Sequence, residues 1–283
     1  PYETYGSKPW ALQGMDWNFD RGLFAADLER LMPFLDRCMD LMPIFRDVGV
    51  KTVVNGPITH TPDDNVLAGP QAGLNNFWNL CGSSIGIAQG GIGKFMAQWI
   101  VHGQTELNMT PLDTRRFGEW ATRDYCITKA IESYEVMYAP VGANENHPHG
   151  RPNRTSALYA KLVDKGALHG VVQGFEKPLW FKTKTQTKEA STWERSEAHE
   201  AVAQECAAVR DAAGVVDISG AAKFEVSGPN AGAFLDRLSC NKLPHRDGRM
   251  ILTLFHGPNG GIMTEQSITR VHEERYYLGG PIA

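Results

Sequence analysis

Residues 81–101 read CGSSIGIAQGGIGKFMAQWIV, with five glycines (Gly82, Gly86, Gly90, Gly91 and Gly93) leading into an apolar stretch. Glycine at this density is a backbone device, letting a turn present N–H groups to something that approaches closely. The aromatic and apolar run at residues 77–81 (FWNLC) reads as a buried strand, and Phe95, Met96, Trp99 and Ile100 recur at helical spacing. Strand, glycine turn and helix together aim unpaired donors and the positive end of a helix dipole at one point. That suits an anion, or a ring that becomes anionic during reaction. The turn is not a nucleotide-phosphate fingerprint. Gly91-Ile92-Gly93 is followed by Lys94, Phe95 and Met96, so GxGxxG is not completed, and Gly93-Lys94 lacks the upstream Gly and following Ser/Thr of a P-loop. The alternative is that the glycines only let a helix pack closely on a sheet. Metal chemistry is not expected, because His147 and His149 flank a proline without Cys or acidic ligands at a metal spacing.

The elements that must position this turn follow from periodicity. Residues 25–45 carry one apolar helical stripe (Leu28, Leu31, Leu35, Met39, Met42), with breaks expected at Pro33 and Pro43. Residues 50–54 (VKTVV) read as a strand, and residues 55–70 (NGPITHTPDDNVLAGP) as a polar, proline-rich loop before the glycine turn. Residues 120–134 are helical, and residues 139–154, rich in Pro, Gly and Asn, read as a linker. The second half has a different texture: a helix over 196–213, strands at 215–218 and 223–226, and a helix through residue 238. Alternating strands follow at 250–255 and 262–271 across the turn at 257–261, then a third at 276–278. The chain stops after this strand, where a sheet is still being built, and therefore reads as an internal piece of a longer protein.

Composition sets the class. A chain of 283 residues, 42% hydrophobic and 21% charged, has room for about two globular domains. Its net charge of -4, without a basic tract, argues against nucleic acid or an anionic membrane as partner. No apolar run reaches the length of a membrane span. The five cysteines (Cys38, Cys81, Cys126, Cys206, Cys240) are widely spaced and lack a CxxC, which favours reduced thiols.

Five stretches, at residues 55–70, 81–103, 112–118 (LDTRRFG), 151–170 (RPNRTSALYAKLVDKGALHG) and 174–181 (GFEKPLWF), resemble the dimethylglycine dehydrogenase and sarcosine dehydrogenase family, in order and over essentially the whole chain. The resemblance implies an α+β / α/β multidomain fold. Residues 1–103 would be the C-terminal part of a D-amino-acid-oxidase-like FAD domain, 104–160 a central domain or linker, and 161–283 the opening of an aminomethyltransferase-like folate domain. The family's N-terminal GxGxxG segment, and the histidine some members link to flavin, are absent from this sequence.

The activity implied is oxidative demethylation of a small methylated amine such as dimethylglycine or sarcosine. Hydride passes to FAD, the one-carbon unit to tetrahydrofolate, and electrons to an electron-transfer flavoprotein or oxygen. Gly82, Ser83, Ser84, Ile85, Gly86 and Ile87 would then surround the isoalloxazine ring, where preorganised N–H donors stabilise the charge of the reduced flavin. His60 and Thr61 are the candidates for facing substrate. Glu265 occupies the place where the aminomethyltransferase-like family carries an acidic residue after a glycine turn, and a carboxylate there can take the proton released as a folate amine attacks. For Glu265 the competing reading is a solvated residue on the outward face of a hairpin. Asp113, Arg115 and Arg116 are better explained by helix capping and interdomain salt bridges than by ligand contact. The compartment expected is the cytoplasm, or the mitochondrial matrix in a eukaryote. Two other functions stay open: a non-catalytic regulator like the regulatory subunit of pyruvate dehydrogenase phosphatase, and a folate-dependent aminomethyltransferase.

Overall fold

The computed structural model describes residues 14–16, 18–19, 22–82, 87–137, 139, 146–182 and 192–281. Helix α1 (Leu28–Leu41) begins at Asp27, whose carboxylate accepts a hydrogen bond from Arg30 N at 3.1 Å. Of the two expected breaks only Pro43 ends the helix, opening a separate 3-10 turn over Pro43–Arg46, whereas Pro33 lies inside α1. Pro33 removes a single N–H bond, to the carbonyl of exposed Glu29, and water can satisfy that carbonyl.

The strand expected at residues 50–54 does not form. Val50 and Val54 are exposed, and among the described residues the segment pairs with no strand. Branched side chains favour extended backbone, but a strand needs a partner for its N–H and C=O groups. Asn55 is tied instead to the stretch before α1, accepting from Phe24 N at 2.8 Å and donating to Ala25 O at 2.9 Å.

β2 (Trp78–Cys81) forms where a buried strand is expected but is not buried, with Phe77, Leu80 and Cys81 exposed, and its antiparallel partner β1 (Leu67–Pro70) comes from the segment read as loop. Helix α2 (Ile87–His102) starts earlier than the apolar spacing indicates, so Gly90, Gly91 and Gly93 are helical and do not belong to the turn. Ile100, expected on the packed stripe, is exposed. Ile92 joins Phe95, Met96 and Trp99 instead, against a core of Val66, Ala68 and Met109. Gly69 (φ +147°) makes this packing close: a Cβ there would stand 3.2 Å from Trp99 Cζ3.

Helix α3 (Arg123–Val136) is capped by Thr122, whose hydroxyl accepts from Tyr125 N at 3.3 Å. A short helix α4 (Tyr159–Asp164) leads into the hairpin β3 (Ala167–Val172) and β4 (Phe175–Phe181). Gln173 and Gly174 between them both have positive φ, the conformation a two-residue hairpin turn requires. Gly174 is also where Trp120 packs, 2.6 Å from a would-be Cβ. The described part of the expected linker is firmly held: Arg154 N donates to Gly174 O and Glu176 N to Arg154 O, each at 2.8 Å.

Helix α5 (Ala198–Asp211) follows. The strand expected at 215–218 is absent, with Val215, Val216 and Ile218 exposed. Asp217 holds this stretch by accepting from Ser156 Oγ at 2.6 Å and Ser219 N at 2.8 Å, bonds that keep its carboxyl below the usual carboxylate range. The chain closes with an antiparallel four-stranded sheet in the order β5 (Ala222–Ser227), β8 (Arg275–Gly280), β7 (Ile262–His272), β6 (Met250–His256). Helix α6 (Ala231–Leu238) covers one face, burying Ala231 and Leu235 against Ile268, Tyr276 and Leu278. No described helix is long and apolar enough to cross a membrane.

Candidate functional site

The loop before β1 is built around one carbonyl. Asn65 O accepts from Thr61 Oγ1 at 2.8 Å and from Arg116 Nη2 at 3.0 Å. Arg116 also grips the Asp63 carboxylate in a two-pronged pair, Nε to Oδ2 at 2.8 Å and Nη2 to Oδ1 at 3.0 Å. Its remaining nitrogen donates to Leu112 O at 2.8 Å and Asp113 O at 3.1 Å. The Arg116 side chain is only 6% exposed, so burial is matched by donors used at every nitrogen. Asp113 caps the 3-10 turn Thr114–Arg116 by accepting from Arg115 N at 2.8 Å, and Thr114 Oγ1 donates to Pro70 O at 2.5 Å, fastening the turn to β1.

Thr61 and Gly82, 21 positions apart in sequence, are brought together. Gly82 has φ +84°, and a Cβ on it would lie 2.5 Å from Thr61 Cγ2. Thr61 is 3% exposed, with its hydroxyl committed to Asn65. His60 is enclosed as well: its side chain is 9% exposed, its Nε2 stands 2.7 Å from Asp64 Oδ1, and its ring meets Tyr134 edge-on at 5.5 Å.

Ser83, Ser84, Ile85 and Gly86 lie outside the described residues, and Ile87 opens α2. On the described side of this turn, a Cβ at Gly90, Gly91 or Gly93 would meet nothing within 4 Å. Three glycines inside a helix cost about 1 kcal/mol each relative to alanine, and here they leave the backbone of α2 open at Gly90, Gly91 and Gly93. Open backbone at these three positions leaves room for a flat ring such as that of a flavin.

Glu265 sits on β7 opposite Leu254 and is exposed. Strand alternation turns its neighbours Gln266 and Ile268 towards α6, while Glu265 shares the open face of the sheet with Met250, Leu252 and Tyr277. It is carried by elements other than those that bring Thr61 to Gly82.

A polar centre beside β4 escaped the sequence reading. Glu176, 2% exposed, receives Arg151 Nε at 2.8 Å and Nη2 at 2.6 Å, and the same Nη2 donates to His169 O at 2.7 Å. The pair holds the Arg151 guanidinium above its ordinary pKa, while burial pushes the His169 imidazole down. Its only signal in sequence was the charge alternation of RPNR and GFEK, with nothing to show that these residues meet. Glu132, also buried, pairs with Lys129 and accepts from His149 N at 2.8 Å. Burial raises the Cys126 thiol pKa, away from nucleophilic use. Among the described residues no cluster of metal-ligating side chains occurs.

Residues 102–156 match the FAD dependent oxidoreductase central domain and residues 158–281 the GCVT N-terminal domain. Dimethylglycine dehydrogenase, mitochondrial, from Mus musculus is 33% identical over 285 residues, covering 98% of this chain and 33% of that protein. Sarcosine dehydrogenase, mitochondrial, from Homo sapiens is 27% identical over 296 residues, 94% of this chain and 32% of that protein. Pyruvate dehydrogenase phosphatase regulatory subunit, mitochondrial, from Mus musculus is 29% identical over 264 residues, 90% and 30% respectively. The chain thus spans about a third of the length of these curated relatives. The two domain matches, in this order, and the similarity over nearly the whole chain fit the fused architecture of the dimethylglycine and sarcosine dehydrogenases.

Proposed function

We propose that the whole protein containing this chain oxidatively demethylates a small N-methylated amine such as dimethylglycine or sarcosine. The observation that carries this reading is the order of the two domain matches, oxidoreductase then GCVT-type, in a chain 33% identical to a dimethylglycine dehydrogenase. Residues 1–103 would contribute to the FAD domain, 104–160 to the central domain, and 161–283 to the folate domain. FAD supplies a hydride acceptor and tetrahydrofolate an acceptor for the one-carbon unit; an electron-transfer flavoprotein or oxygen would reoxidise the flavin.

The roles of the chain's own residues follow. The backbone from Gly82 to Ile87 would offer N–H donors to the flavin ring, and Thr61 would fix the start of that turn through its contact with Gly82. His60, its Nε2 2.7 Å from Asp64 Oδ1 and its ring against Tyr134, would face the substrate. Glu265, on the open sheet face, would orient the folate amine and accept its proton.

In the whole protein, Glu265→Gln is expected to leave amine-dependent flavin reduction intact while lowering methylenetetrahydrofolate relative to free formaldehyde about a hundredfold, the lower end of the range for a general base. Product analysis by mass spectrometry reads the ratio. An unchanged ratio in a folded Glu265→Gln protein would make Glu265 a solvated surface residue. The similarity to a phosphatase regulatory subunit favours a second reading, a regulator that keeps the fold without the chemistry. Flavin reduction by amine separates the two.

A further inference from the structure

We propose that Arg116 is a positioning residue for the glycine turn, acting through Asn65 and Thr61 to set where the chain leaves β2 at Gly82. Four observations form one connected path. Arg116 is anchored on its own turn by Leu112 O and Asp113 O, and from there reaches Asp63 and Asn65 O. Asn65 O has its second acceptor site filled by Thr61 Oγ1. That bond fixes Thr61, whose Cγ2 stands 2.5 Å from where a Cβ on Gly82 would sit, so the methyl forms a floor under the left-handed Gly82 backbone. Arg116 belongs to the stretch matching the FAD dependent oxidoreductase central domain, while Asp63, Thr61 and Gly82 precede it. The clamp thus transmits the placement of the central domain to the turn.

Lysine cannot replace this arrangement. The path uses three nitrogens of a planar fork aimed at a carboxylate and three carbonyls, whereas an ammonium is a point charge with three donors on a flexible stem. The consequence for flavin chemistry rests on the function proposed above; the mechanical coupling does not.

The test is hydrogen–deuterium exchange with mass spectrometry on the whole protein, alongside the visible spectrum of its bound flavin. Arg116→Gln and Arg116→Lys are both expected to speed exchange about tenfold in peptides covering residues 61–66 and, together with them, residues 78–82. They should also shift the flavin absorbance and slow its reduction by saturating amine. Thr61→Ser, which keeps the hydroxyl but removes the methyl, should speed exchange at 78–82 while leaving 112–117 unchanged, and serves if the Arg116 variants fail to fold. Faster exchange confined to 61–66 and 112–117, with 78–82 unaltered in every variant, overturns the coupling. A wild-type protein without flavin, but with the coupled exchange response, would reject the proposed function and leave Arg116 as the positioning residue.

Discussion

Glu176→Ala is expected to destabilise the β3–β4 hairpin and its surroundings by about 3–5 kcal/mol, the range for removing one partner of a buried ion pair. Glu176 is among the most enclosed charged groups described, and Arg151 is mostly enclosed with it. Removing the carboxylate leaves the guanidinium with His169 O as its one remaining acceptor among these contacts, and still shielded from water. The cost is that of an uncompensated charge, and not the net worth of the pair. The double replacement Arg151→Met with Glu176→Met should therefore recover most of the loss, because two apolar side chains need no partner. Native-state hydrogen exchange of the hairpin amides reads both numbers. A loss below about 1 kcal/mol for Glu176→Ala would mean that water reaches the site and the pair behaves as a surface salt bridge.

Gly82→Ala is the second large effect expected, about 2–4 kcal/mol, from two separable sources. A side chain at φ +84° is strained in any surroundings, and the new methyl collides with Thr61 Cγ2 at 2.5 Å. Thr61→Ser removes the colliding atom and leaves the backbone strain. The double variant Gly82→Ala with Thr61→Ser should consequently recover about half the loss, a coupling that hydrogen exchange at residues 61–66 and 78–82 measures directly. In the whole protein, Gly82→Ala alone should also lower flavin content. Strict additivity of the two changes would show that the Thr61 methyl does not press on Gly82.

Local pattern made much of the second half legible. The alternation and glycine-rich turn of β6 and β7, the alanine-rich α5, and the Pro-Asn start of α6 all express preferences that tertiary packing then reinforces. The same reasoning failed where a preference had no partner. Residues 50–54 and 215–218 are rich in branched apolar side chains, yet Val50, Val54, Val215 and Val216 stand exposed, because strand formation depends on a neighbouring edge that no local window contains. It failed in the opposite sense at β1, where Leu67-Ala68-Gly69-Pro70 looks like loop and becomes a strand by pairing with β2. The β3–β4 hairpin did carry a readable signal, the Gln173-Gly174 turn between apolar runs, overshadowed by the motif content of the same residues. At the candidate site, the need for glycine was visible from composition and is met at Gly82, whose φ is positive, whereas Gly90, Gly91 and Gly93 lie in a regular helix. What the segment rests on was not, since Thr61 meets Gly82 and Arg116 meets Asp63 across stretches of chain too long for spacing arguments.

The family resemblance supplied what residue patterns alone did not: an oxidoreductase followed by an aminomethyltransferase-like domain. That order matches the two domain families found along residues 102–281. The structure adds two separate hydrophobic cores. One core joins β1, β2 and α2, and a second joins α6 to the terminal sheet that carries Glu265.

The most direct test of the flavoenzyme reading is anaerobic titration of the purified whole protein with dimethylglycine and with sarcosine, followed by visible absorbance. The prediction is a protein that carries flavin and loses the oxidised flavin bands on addition of at least one N-methyl amine, with formaldehyde released when tetrahydrofolate is omitted. A folded protein that lacks flavin, or whose bound flavin stays oxidised with every N-methyl amine offered, would contradict it and favour the regulatory reading.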